Sequence, residues 1–103
     1  MSDATTTQEA YVLSADGRRT VVTPANGRHF RLRQMQGYVG GLIEVLELGG
    51  GRLMVINEEG KLTGLPRNES ATLLWHVANA DSPFALADCI VGPALVCASD
   101  QLL

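Results

Sequence analysis

Cysteine occurs only twice in the 103 residues, at Cys89 and Cys97, and neither sits in a C-x-x-C pair or at a zinc-ligand spacing. That scarcity excludes a disulfide-stapled miniprotein and leaves reduced thiols in a cytoplasm as the expectation. Long apolar runs are missing as well: none approaches the ~18 residues that a membrane-spanning helix needs. The first ten residues, MSDATTTQEA, carry neither the basic nor the apolar region of a secretory leader. We therefore expect an unprocessed cytoplasmic protein with no membrane contact. Charge is sparse, with 18% charged residues and a net charge of -3, which is ordinary for a globular chain and argues neither for nor against nucleic acid. No internal repeat, low-complexity block or linker divides the chain. Gly49-Gly50-Gly51 precedes a strand pattern rather than a helix, so it is not a phosphate loop.

What is present is an apolar fraction of 46%, enough for a chain of this length to bury roughly 60–70% of its unfolded surface around one small core. Residues 1–10 are expected to form a frayed tail, since no burial would offset the entropy of ordering them, and residues 11–103 a single domain. Tyr11, Val12 and Leu13, then Asp16-Gly17, then Thr20, Val21 and Val22 spell a short hairpin ended by Pro24. Leu32, Met35 and Val39 recur at i, i+3 and i+7 among arginines and glutamines, one face of a short helix that Gly40-Gly41 stops. The run LIEVLEL, walled by glycines, reads as a strand by its length and flanks, and pairs with RLMVIN through the three glycines. Both strands are apolar on both faces, so the pair is expected at the centre of a sheet with something packed on each side, or with a partner covering one side.

Glu44 inside that apolar strand must face water or find a partner. With a three-glycine loop, Leu48 opposes Arg52, Glu44 opposes Ile56, and Asn57 points to the other face. With a loop of two or four residues, Glu44 and Asn57 share a face. The first register is the preferred one. Asn57-Glu58-Glu59-Gly60 fits a type I turn, with Asn57 capping and Gly60 supplying permissive backbone, and residues 61–63 return as a short strand. Asn68 is placed to cap a helix that carries Ala71, Leu74, Trp75 and Ala78 on one face and ends near Asn79. Residues 88–98 are strand-like on both sides of Gly92-Pro93, a proline that calls for a bulge, a bend or an edge position. The fold class is α+β: a small, mostly antiparallel sheet with two short helices, in the order β-β-α-β-β-α-β.

The ordered series VGGLIEVLEL, LMVINEEGKLTGLPRNESAT and DCIVGPALVC resembles a family of small bacterial, phage and plasmid proteins, the domain-of-unknown-function family number 3846. The resemblance spans about residues 39–97. Its motif positions fall here on Val39, Gly40, Gly41, Ile43, Glu44, Asn57, Glu58, Gly60, Lys61, Leu65, Pro66, Asn68, Ile90, Val91 and Gly92. Pro93 departs from the pattern, standing where the family usually carries a small polar residue. The resemblance implies a mobile-element setting and no particular activity.

Three constellations compete with structural roles. Gly40, Gly41, Glu44, Asn57, Glu58 and Asn68 are the candidate ligand-binding set, because short polar side chains beside glycines let a small molecule approach the backbone. Turn and cap preferences already account for both asparagines. Arg18, Arg19, Arg28, Arg31 and Arg33 are five of the eight basic residues, and Arg28, Arg31 and Arg33 are the candidate phosphate contacts. Only Phe30 is interleaved among them as an aromatic, which makes nucleic acid the weaker partner. His76 with Cys89 or Cys97 lacks any catalytic spacing, and no cofactor, metal or catalytic residue is implied. The leading expectation is an accessory protein of a phage or plasmid that binds a host protein or itself, including as a homodimer, rather than an enzyme. The alternatives are a small-molecule or nucleotide binder at Glu44 and Asn57, and a nucleic-acid binder at the arginines.

Overall fold

Alternation along five strands sends successive side chains to two helices on opposite faces of one sheet. The computed structural model describes residues 9–102. In chain order its elements are β1 (Ala10–Leu13), β2 (Arg19–Val22), α1 (Leu32–Val39), β3 (Ile43–Gly49), β4 (Arg52–Asn57), α2 (Glu69–Ala78), α3 (Pro83–Leu86) and β5 (Ala94–Ala98), followed by a 3₁₀ turn at Ser99–Gln101. The strands are ordered β2-β1-β5-β4-β3, with every strand pair antiparallel. The α+β class and the expected element order stand, with α3 as an additional helical turn. Of the expected tail, residues 1–8 lie outside the described residues, and Ala10 opens β1 with its side chain buried.

The sheet separates two apolar clusters. Toward α1 lie Ala10, Val55, Leu95 and Cys97 with Phe30, Met35 and Val39. Toward α2 lie Tyr11, Leu13, Met54, Ala94 and Val96 with Ala71 and Ile90. Burying each of the larger side chains stabilises the fold by about 1.5–3 kcal/mol. The period-2 alternation of β5 thus feeds both clusters from a single strand. Helix α1 ends where Gly40 takes φ 83 and its N–H reaches Gln36 O at 2.8 Å, a conformation that costs glycine little. Met35 and Val39 are buried as expected, but Leu32 is 56% exposed. Phe30 supplies the apolar side chain at that end instead; its N–H bonds Gln101 O at 2.7 Å, and its ring meets Tyr38 edge-on.

The glycine loop resolves the register question by combining both alternatives. Gly49 pairs with Arg52, so the connection is the two residues Gly50-Gly51, both at positive φ, as a tight hairpin turn requires. An irregularity between Glu47 and Gly49 leaves Leu48 as an extra residue, and Glu47 pairs with Leu53. The bulge restores the odd parity. Glu44 therefore opposes Ile56 and Asn57 opposes Ile43, on opposite faces, as the preferred register has it.

Three expectations are corrected. The β3–β4 hairpin is not central: β5 takes the middle and β3 is an edge. Residues 61–63 are not a strand but part of a turn over 58–64, because Thr63 N–H and Oγ1 both donate to Glu59 O and Leu65 N–H donates to Gly60 O. That local satisfaction of backbone groups competes with pairing into a ladder. Only the part after Pro93 is a strand; Gly92 at φ 74 bends the chain first, so the residue without an N–H stays out of the central ladder.

Candidate functional site

Two asparagines at the centre of the sequence-derived site are largely spent on the fold. Asn57 Oδ1 accepts from Glu59 N–H at 2.8 Å, its Nδ2 donates to Val39 O at 3.1 Å, and its carbonyl accepts from Gly60 N–H. Asn57 thus closes its own turn and ties it to the end of α1. Gly60 is required there for space rather than for an unusual φ, since a Cβ would lie 2.9 Å from Val91 Cγ2. Asn68 is fully buried, caps α2 through Ala71 N–H at 3.0 Å, and donates to Leu13 O and Gly92 O. Gly40 forms the helix stop, and a Cβ on Gly41 would meet Asn57 Nδ2 at 3.0 Å.

What the structure does gather is a cavity of about 190 Å³ on the α2 side of the sheet. Its sheet wall is Glu44, Leu46 and Ile56; Trp75 of α2, the turn at Glu58, Lys61 and Leu62, and the segment from Asp88 to Val91 complete it. Asn57 also reaches its edge, so Glu44, Asn57 and Glu58 of the candidate set come together, whereas Gly40, Gly41 and Asn68 are placed elsewhere. Lys61, Asp88 and Cys89 escape a reading by spacing. Lys61 and Asp88 form an ion pair across 27 residues of sequence, and no local pattern announces such a contact.

The hydrogen bond from Lys61 is the main reason that the Asp88 carboxyl lies below its ordinary range; burial opposes this, while the Cys89 N–H and the charges of Lys61 and His76 assist. His76 Nε2 lies 2.7 Å from Asp88 O. A carbonyl only accepts, so that nitrogen carries the proton. Glu44 and Glu58 have no ion-pair partner among the described residues. Cys89 is a half-buried free thiol, whereas the thiol of Cys97 is pushed up to about 11, by burial first and then by Asp100. Among the described residues no group of three or more His, Cys, Asp or Glu is arranged to hold a metal.

A second surface is apolar. Leu73 and Val77 stand one helical turn apart on α2, 65% and 68% exposed. With Leu74, Tyr11, Leu13, Ser70 and the aliphatic part of Arg19 they line a shallow groove between α2 and the β1–β2 hairpin. Phe84, on the short helix α3 that packs against α2, is 87% exposed. The arginines divide. Arg19 lies over the Tyr11 ring at 3.9 Å, on the α2 face. Arg31 and Arg33 belong to the start of α1 on the other face, and Arg28 is exposed in the loop before it.

A family model described as "Domain of unknown function (DUF3846)" matches residues 8–101. No curated protein and no solved structure matches the chain.

Proposed function

This chain belongs to the DUF3846 family, and we propose that it acts there as a non-catalytic accessory protein that docks another protein on the apolar face of α2. One observation carries the reading: Leu73 and Val77 point outward beside a groove whose walls are mostly apolar. Single exposed apolar side chains are ordinary, but adjacent ones flanking a groove favour an occupant that covers them. The spacing suits an amphipathic segment that lays its own apolar side chains between α2 and the hairpin. The phage or plasmid setting rests on the family resemblance and does not identify the partner.

The test compares the wild-type chain with the double variant Leu73→Glu/Val77→Glu, which leaves the buried face of α2 intact. Light scattering reads self-association, and affinity capture from a bacterial lysate reads other partners. We expect the wild type to form a dimer, or to retain a defined protein, and the variant to lose it. A monomeric wild type whose captured proteins are the same as those of the variant sinks the reading.

A further inference from the structure

We infer that the cavity between the β3–β4 hairpin, α2 and the 58–62 turn is a binding site for a small organic cation with an apolar body. The inference is independent of docking on α2, since it rests on different residues.

Size comes first. A cavity of about 190 Å³ exceeds the roughly 150 Å³ that accommodates benzene in an engineered apolar site, so one ring or a short branched chain fits. The walls that would hold such a body are Leu46, Ile56, Ile90 and the indole of Trp75. An indole face also attracts a positive charge placed above it.

Charge then selects the head group. Three carboxylates and one lysine line the cavity: Glu44, Glu58, Asp88 and Lys61. Lys61 and Asp88 neutralise one another as an ion pair, which leaves the carboxylates of Glu44 and Glu58 uncompensated. An anion would have to displace Asp88 from Lys61 while approaching two further carboxylates. A neutral ligand would gain at most a hydrogen bond from either glutamate, with no charge to match. An ammonium or guanidinium is attracted by both, at the modest strength of exposed carboxylates. A bare divalent metal is poorly served, because no three ligating groups converge among the described residues.

The single tryptophan of the chain lines the cavity and is a built-in probe. We would titrate the protein with benzylammonium, benzyl alcohol and benzoate, following Trp75 fluorescence and the amide shifts of Glu44, Glu58 and Cys89. The expected result is saturable binding of benzylammonium, about tenfold tighter than the alcohol, with benzoate weakest. Glu44→Gln/Glu58→Gln, checked for an unchanged circular dichroism spectrum, should bring the ammonium down to the affinity of the alcohol and leave the alcohol unaffected. Equal affinities for ammonium and alcohol, or tighter binding of benzoate, overturn the assignment of charge. The absence of saturable shifts with all three probes overturns the site itself.

Discussion

Asn68 joins three parts of the molecule through one side chain. Its oxygen caps α2, while its two amide hydrogens go to Leu13 O of β1 at 2.9 Å and to Gly92 O at the entry to β5 at 2.8 Å. Removing it leaves a helix without its cap and takes the side-chain donor away from two buried carbonyls. Loss of a cap costs about 1 kcal/mol and each lost hydrogen bond about 1 kcal/mol, so Asn68→Ala should destabilise the fold by roughly 3 kcal/mol, read from the urea midpoint. Asn68→Asp separates the roles, since a carboxylate can still cap but cannot donate. Its folded-state pKa is raised by burial beside two carbonyls, so its deficit should shrink as pH falls through the carboxylate range. A loss below 1 kcal/mol for the alanine variant, or no pH dependence for the aspartate, would show that the two donor bonds contribute little.

At the scale of elements, what was legible is what neighbours in sequence decide. Asp16-Gly17, Gly40 and the side-chain oxygen of Asn68 each act within a few residues of themselves, and the structure uses them as the hairpin turn, the helix stop and the helix cap. Sheet order was misread, because it depends on which strand reaches which edge; the one local signal, Glu44 and Glu47 on β3 against an uncharged β5, was outweighed by the apolar residues on both faces of β3. The bulge at Leu48 has the same character: three glycines permit several loops, and the one formed lets Leu46 and Leu48 both pack against the cluster on the α2 side. The candidate site was half legible for that reason. Glu44, Asn57 and Glu58 lie on one hairpin and its turn, whereas Asp88 and Cys89 arrive from a distant segment. One glycine has no such local task. Gly37 sits inside α1, is not at positive φ, and a Cβ added there would meet nothing within 4 Å. Gly37→Ala should therefore stabilise the fold by about 0.5–1 kcal/mol, seen as a higher denaturation midpoint; a lower midpoint would mean that the helix surface there is engaged.

For the molecule as a whole, two clusters on opposite faces share one sheet, and Leu95 and Val96 of β5 are fully buried in one each. Neither cluster can be lost without disturbing the strand that serves the other. Unfolding should accordingly be one transition: Trp75 fluorescence, reporting the α2 face, and far-ultraviolet circular dichroism should give coincident urea curves. Separated midpoints would show that the faces melt independently.

The position of β5 also has a consequence for the order of assembly. Among the described residues the β1–β2 and β3–β4 hairpins are joined within the sheet only by residues 94–98. In the chain β5 follows both hairpins, so each is complete in sequence before the strand that bridges them, and until then the edges that β5 covers are open. That arrangement favours a late closure of the sheet by β5, with the β1 and β4 edges that it covers open to wrong pairing until then.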